Sequence, residues 1–313
     1  MTPLRAAVDE ATDRLAGAGV PTPRVDAVLL AGHVLGLDRG EVERALLLGR
    51  ELSDDARTRL VDLVDERARR VPLQHLTGVA GFRRLELAVG PGVFVPRPET
   101  ELLIDLGLAA LRGSSQRSAH ADRRSHHVRE RGPVVVDLCT GSGALALAAA
   151  DEIPGARVVA VELSEEALAW ARHNVERTGL PVEVVQADAG AAPAAVPHLA
   201  DLLGAVDLVL SNPPYIPDSA VPIDPEVAEH DPQIALYGRS ADGLAVPRAV
   251  AATAARLLSP DGVLVMEHAD TQGETLPEAL NATGVWSEVT DHRDLAGKPR
   301  ALSARRIGAS RPG

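Results

Sequence analysis

Cysteine is nearly absent: Cys139 is the single one in 313 residues, which excludes an intrachain disulfide framework and a zinc site built from cysteines. Aromatics are scarce, at 2%, so no basic, aromatic-interleaved domain is on hand to grip a nucleic-acid strand. Positive charge is in deficit. Against 44 Asp and Glu stand 32 Lys and Arg, and the formal net charge of -12 repels a polyphosphate and disfavours a general duplex-binding protein. Also missing is any apolar run near the roughly 20 residues of a membrane helix, and Met1 to Ala6 leads into acidic residues rather than a signal-peptide core. The chain therefore reads as cytoplasmic and mature from Met1. What remains is an ordinary globular composition, 45% hydrophobic and 24% charged, with room for a sizeable core split between two domains.

The first third reads as helices. Thr2-Pro3, Thr22-Pro23 and Ser53-Asp54-Asp55 place a capping oxygen before a first turn, and Gly17, Gly19 and Gly36 supply stops. Leu4, Val8, Leu15, Leu60, Leu63 and Val64 recur at helical spacing, so a small helical bundle is expected over residues 1–77. From Gly78 the period becomes alternating: Phe82, Leu85, Leu87 and Val89, then Val93 and Val95, read as a hairpin turned at Gly90-Pro91-Gly92, a connector over 78–97. A helix follows from near Glu99, and residues 113–132, polar and without apolar period, read as a mobile insertion in a domain spanning 98–313. His120, His126 and His127 lie in that insertion with no ordered fourth ligand nearby, so no metal is assigned to them.

Beyond Pro133, apolar strand-like runs (Val134–Val136, Val158–Val161, Val182–Val185, Val206–Leu210 and Val263–Met266) alternate with helical stretches, which predicts a parallel sheet wound on both faces with its ligand above the strand carboxyl ends. Asp137-Leu138-Cys139-Thr140-Gly141-Ser142-Gly143 is a strand end and a tight glycine turn before a helix. Glu162, 19 positions after Gly143, ends the next strand, where a carboxylate can accept both hydroxyls of a ribose. Gly141-x-Gly143-x-x-Ala146 also satisfies a dinucleotide fingerprint, which keeps a nicotinamide enzyme open at this point. Asp137 favours a different cofactor, because an acid there repels a pyrophosphate and attracts a cation. S-adenosylmethionine carries a sulfonium and an amino group and no phosphate. Asp188 follows the third run and is placed to meet an adenine amino group, or simply to cap its own turn.

Ser211-Asn212-Pro213-Pro214-Tyr215 follows the fourth run and is the most specific feature of the chain. Two prolines stiffen the loop and leave unpaired carbonyls. The Asn212 side-chain oxygen and the Pro213 carbonyl can accept both hydrogens of a planar NH2 group and hold its nitrogen in line with a methyl on sulfur. Tyr215 can stack on the flat group and exclude water. This chemistry predicts an enzyme that methylates a planar amino group, with Asn212, Pro213 and Tyr215 as its catalytic residues.

These residues resemble the amino methyltransferases that share an Asn-Pro-Pro-Tyr motif. With Gly92-Val93-Phe94-Val95-Pro96-Arg97-Pro98-Glu99-Thr100-Glu101, Asp242-Gly243-Leu244 and Asp294-Leu295-Ala296-Gly297-Lys298-Pro299-Arg300, nearly the whole chain is similar to the peptide chain release factor glutamine-N5 methyltransferases, the HemK or PrmC family. The resemblance implies a helical N-terminal domain that recognises the release factor and a hairpin hinge. It also implies an α/β, seven-stranded Rossmann-like S-adenosylmethionine-dependent methyltransferase domain ending in an antiparallel strand. By position it puts the cofactor loop on Cys139, Thr140, Gly141, Ser142 and Gly143, the ribose acid on Glu162, adenine-side contacts on Asp188 and Ala189, and the glutamine pocket on Asn212, Pro213, Pro214 and Tyr215. The implied reaction is methyl transfer to the glutamine of the release factors' Gly-Gly-Gln motif by a monomer without direct nucleic-acid or membrane contact. The alternatives are a glutamine in a ribosomal protein, an exocyclic amino group of a nucleic-acid base, and a non-catalytic module docking on translation proteins. Three departures from the pattern stand out: Cys139 and Ala269 replace glycines, and Glu162 replaces an aspartate.

Overall fold

The computed structural model of the chain describes residues 2–121, 132–191, 193 and 196–308. They form two compact units, one of Met1–Val79, Val89–Pro91 and Val221–Asp231, the other of Ala80–Ala88, Gly92–Ala220 and Pro232–Gly313.

The first unit contains β1 (Thr2–Pro3), α1 (Leu4–Gly17), α2 (Pro23–Leu35), α3 (Arg39–Leu47), β2 (Glu51–Leu52), α4 (Asp54–Ala68) and α5 (Leu73–Thr77) around a core that includes Leu4, Val8, Leu15, Leu30, Leu60 and Val64. Ser53 caps α4 by accepting from the Ala56 amide at 3.2 Å, and Asp38 and Glu41 form a capping box at the start of α3. Two expected caps are corrected. Thr2 lies in β1 opposite Leu52, and α1 starts after Pro3, which has no side-chain acceptor. The Thr22 hydroxyl donates to Asp26 Oδ1 at 2.7 Å, a charged acceptor nearby, instead of capping α2.

The sequence pattern places the helical domain over residues 1–77, a connector over 78–97 and the second domain over 98–313. The structure instead returns Val221–Asp231, with α10 (Pro225–His230), to the helical unit. The reason is Glu226. Its Oε1 accepts from Arg67 Nη1 at 2.7 Å and Arg70 Nε at 2.7 Å, Oε2 accepts from Arg70 Nη2, and Arg67 Nε reaches Asp26 Oδ2 at 2.7 Å. Glu226, Arg67 and Asp26 are all buried, so these bonds, with those from Arg70 and Thr22, stand in for the water each charge has lost.

In the second unit, which holds all of β3 (Val79–Phe82) but its first residue, β3 pairs with β4 (Leu85–Ala88). The reversal falls at Arg83-Arg84 and not at Gly90-Pro91-Gly92, and Val93 and Val95 are fully buried without entering a strand. Arg83 sits at φ 54, a conformation that sequence reading would assign to glycine. Its amide donates to Glu101 and its guanidinium grips Glu152 with two 2.8 Å bonds, which hold the turn there. A 3-10 turn (Pro98–Glu101) leads into α6 (Leu102–Ala121). The insertion expected from residue 113 is therefore helical through Ala121, because one helix-interior glycine costs only about 1 kcal/mol. His126 and His127 lie outside the described residues, as does the side chain of His120.

The seven-stranded sheet contains β5 (Val134–Leu138), β6 (Arg157–Glu162), β7 (Val182–Gln186), β8 (Val206–Ser211), β9 (Leu258–Glu267), β10 (Trp286–Arg293) and β11 (Pro299–Arg306), in the order β10-β11-β9-β8-β5-β6-β7. β7, β6, β5, β8 and β9 are parallel, and β11 runs antiparallel between β9 and β10. Around them lie α7 (Ala144–Glu152), α8 (Glu165–Thr178), α9 (Pro197–Ala200), α11 (Gln233–Leu236), α12 (Ala245–Leu257) and α13 (Thr275–Asn281). Alternate side chains feed two cores. Val136, Val159, Val209 and Leu264 pack with α12, and Val135, Val158, Leu208 and Val265 pack with α6 and α7. The strand order reverses at β5, which has β6 on one side and β8 on the other, so the crevice for a ligand opens above their C-terminal ends. Among the described residues no helix is long and apolar enough to cross a membrane.

Candidate active site

Two segments leave the central strands side by side. Leu138, the last residue of β5, pairs with Ser211, the last of β8, and the buried Ser211 Oγ donates to the Leu138 carbonyl at 2.6 Å. Cys139 and Asn212 are the next residues of each strand, so the glycine loop and the Asn-Pro-Pro-Tyr segment start from one tied pair.

The loop needs left-handed backbone at three places: Cys139 at φ 65, Gly141 at φ 57 and Gly143 at φ 88. A Cβ on Gly141 would meet nothing within 4 Å, so the loop borders open space there. Asp137 braces the loop from below. Its Oδ2 accepts from Thr140 Oγ1 at 2.5 Å and the Ala146 amide at 3.1 Å, while Oδ1 is buried without a hydrogen-bond partner among the described residues. Burial pushes the Asp137 carboxyl up to about 7, against the lowering effect of those two bonds. Burial likewise raises the Cys139 thiol, with the nearby carboxylates adding to the shift, which leaves it a poor nucleophile. From α8, the fully buried Asn174 donates to the Ser142 and Ala88 carbonyls, both at 2.9 Å, and accepts from the Ala88 amide at 2.7 Å.

Glu162 reaches the loop from the end of β6. Oε2 accepts from the Gly141 amide at 2.8 Å, and Oε1 from the Leu163 and Ser164 amides at 2.9 and 2.8 Å. The longer side chain thus folds onto the backbone while keeping the carboxylate beside Gly141. Asp188 is exposed and its Oδ1 accepts from the Gly190 amide at 2.8 Å, the turn-capping geometry, and Ala189 beside it is buried. The departure at Ala269 needs no glycine, since its φ of -64 and ψ of 150 are open to any residue.

The Asn-Pro-Pro-Tyr segment is held from several elements. Asn212 Nδ2 donates to Thr100 Oγ1 at 3.3 Å; Thr100 Oγ1 donates to Glu267 Oε2 at 2.6 Å; and Tyr215 OH donates to Glu267 Oε1 at 3.1 Å. Thr100 and Glu267 are buried, and desolvation lifts the Glu267 carboxyl above its ordinary value although Thr100, Arg300 and Tyr215 stabilise its charge. The buried Gln272 donates to the Tyr215 and Asp242 carbonyls, both at 2.9 Å. Gly243, at φ 72, packs so closely that a Cβ there would lie 2.1 Å from the Tyr215 carbonyl oxygen. That contact and the Gln272 bond tie Asp242-Gly243 to the backbone of the Asn-Pro-Pro-Tyr segment. Arg300 pairs with Asp294 in the turn between β10 and β11, and its backbone carbonyl accepts from the His268 amide.

Sequence reading gave no role to Asn174, Ser211, Thr100, Glu267 or Gln272. A polar residue buried by distant partners looks like any solvated polar residue until the fold closes over it. Chemically, the loop Cys139–Gly143 offers amides and carbonyls flanked by the Asp137 and Glu162 carboxylates, which suits a nucleoside cofactor with positive charge and no phosphate.

Residues 6–78 match a family model described as PrmC N-terminal domain, and residues 129–298 match one described as methyltransferase domain. The chain is 48% identical to a release factor glutamine methyltransferase of Mycolicibacterium smegmatis, over 99% of this chain and 100% of that protein. It is 47% identical to the release factor glutamine methyltransferase of Streptomyces coelicolor, over 98% and 99%. It is also 39% identical to a 4-amino-L-phenylalanine/4-methylamino-L-phenylalanine methyltransferase of Streptomyces pristinaespiralis, over 92% and 90%.

Proposed function

Because the chain belongs to the release factor glutamine methyltransferase family, we propose that it methylates the side-chain amide nitrogen of the glutamine in the Gly-Gly-Gln motif of bacterial release factors, using S-adenosylmethionine. The observation that carries this reading is the tie between Leu138 and Ser211, which sets the cofactor loop and the Asn212 amide acceptor at adjoining strand ends. When bound, S-adenosylmethionine supplies a methyl group on a sulfonium sulfur, and the carbon–sulfur pair stays with sulfur as the carbon–nitrogen bond forms.

The chain's own residues orient. Thr140 to Gly143 and Glu162 hold the nucleoside end, with Asp137 bracing the turn from beneath and Asp188 and Ala189 on the adenine side. Asn212 Oδ1 and the Pro213 carbonyl accept the two hydrogens of the glutamine NH2 and turn its nitrogen in line with the methyl. Because an amide lone pair is delocalised, two acceptors that draw the nitrogen toward tetrahedral geometry favour the transition state over the ground state. Pro214 stiffens the loop, and Tyr215 covers the flat amide against water. The nitrogen loses one proton to solvent after transfer, so no strong base is required. The enzyme acts in the cytoplasm as a monomer, with its helical domain engaging the release factor and no nucleic acid in the site.

Labelled S-adenosylmethionine offered with a purified release factor and, separately, with 4-amino-L-phenylalanine tests the substrate class. Label in the release factor alone supports the reading. Label only in the aryl amine refutes it and points to small-molecule chemistry like that named for the Streptomyces pristinaespiralis relative.

A further inference from the structure

The reaction uses Asn212 only if its carboxamide points the right way, because the two ends of that group are nearly isosteric and do opposite work. With the oxygen toward the substrate, Asn212 accepts a hydrogen from the NH2 group. With the amide nitrogen there, two donors face each other and the acceptor is lost. Something must therefore select one rotamer, and two prolines directly after Asn212 supply no backbone N–H that could do so.

We propose that Thr100, oriented by Glu267, is the positioning residue that fixes this choice. Thr100 has a single hydroxyl proton, and it is committed to Glu267 Oε2 at 2.6 Å. A carboxylate only accepts, so the Thr100 oxygen is left as an acceptor, and the group that meets it, 3.3 Å away, is Asn212 Nδ2. Asn212 Oδ1 then faces away from Thr100. The second Glu267 oxygen accepts from Tyr215 OH at 3.1 Å, so the same buried carboxylate sets both ends of the Asn-Pro-Pro-Tyr segment. Polarity runs one way, from Asn212 NH2 to Thr100 OH to the Glu267 carboxylate, and it ends in a group that cannot donate while ionised. Thr100 reaches this place because the 3-10 turn Pro98–Glu101 presents it, buried, beside the end of β9. Glu99 and Glu101 are its neighbours on that turn, and Arg300 faces Glu267 from β11.

This inference rests on the amide-methylation reading, and two readouts separate its failure from the failure of that reading. The first is kinetic, with the full chain and a release factor as acceptor. Thr100→Val, which keeps the shape and removes the hydroxyl, should lower kcat about 30-fold with cofactor affinity within about twofold, and Thr100→Ser should return kcat to within about threefold of the native value. In an Asn212→Ala background Thr100→Val should cost nothing further. An equal loss in both backgrounds, or a native kcat in Thr100→Val, overturns the proposal. The second readout needs no substrate: the Asn212 side-chain NH2 signals, assigned by their loss in Asn212→Asp, should show one slowly exchanging proton in the native protein and in Thr100→Ser. Two fast protons in Thr100→Val support the proposal, and unchanged exchange in that variant overturns it. If the native enzyme leaves the release factor unmodified, the functional reading fails and this exchange measurement alone decides on Thr100.

Discussion

Replacing Glu226 with alanine should unfasten Val221–Asp231 from the helical unit, and the structure sets the size of the effect. Three charge-assisted bonds end on this carboxylate, one from Arg67 and two from Arg70. Each is worth about 1.5–3 kcal/mol, but their sum overstates the loss, since an alanine no longer carries the cost of burying a charge. Removing one member of a buried ion cluster costs about 3–5 kcal/mol, and the lower end applies here because Arg67 keeps Asp26 at 2.7 Å and Arg70 keeps the Gly19 carbonyl at 3.0 Å. Glu226→Ala should thus lose about 3 kcal/mol in urea unfolding followed through the helical unit. Glu226→Gln, which keeps an acceptor, should lose about 2 kcal/mol. The pH dependence has a definite sign. Burial raises the Glu226 carboxyl, but bonds from Arg70 and Arg67 outweigh it and hold the group well below the usual carboxylate range. A lowered folded value means that stability is present above the unfolded value of about 4.3 and is lost as pH falls below it. Glu226→Ala should flatten that acid limb. A loss under about 1 kcal/mol with an unchanged acid limb would refute the view that this cluster holds the segment.

Three further outcomes are expected. Asn212→Ala should lower the methyl-transfer rate at least ~100-fold with cofactor binding largely kept, measured by single turnover beside calorimetric titration; normal turnover would remove Asn212 from the mechanism. Gly243→Ala places a Cβ 2.1 Å from the Tyr215 carbonyl at a residue of φ 72, so the thermal midpoint should drop with a stability loss of about 3 kcal/mol or more, and a native midpoint would contradict the packing described. Cys139→Gly relieves a side chain at φ 65 and should leave stability unchanged or raise it by about 1 kcal/mol in chemical denaturation; a large loss would mean that the Cys139 side chain holds the loop by its packing.

The parallel strands were legible because β5, β6, β8 and β9 are apolar on both faces, and that pattern survives without knowledge of neighbours. The glycine turn and Asn212-Pro213-Pro214-Tyr215 were legible for a related reason, since positive φ and missing N–H groups are local demands. What escaped depends on residues far apart in sequence. Glu226 looks like a loop acid until Arg67 and Arg70, 159 and 156 positions away, enclose it. The turn at Arg83 defeated the stronger glycine-proline-glycine signal because Glu101 and Glu152 hold an arginine at φ 54. Thr100 and Glu267 support the Asn212 side chain, and nothing in either residue type announces it.

The most direct test of the central claim is to map, by peptide mass spectrometry, the residue that gains a methyl group when a release factor is incubated with this enzyme and S-adenosylmethionine, beside a release factor whose Gly-Gly-Gln motif carries a Gln→Ala change. One added methyl on that glutamine, absent from the altered release factor, is the predicted result. A methyl at any other residue, or none from a preparation shown to bind the cofactor, would contradict it.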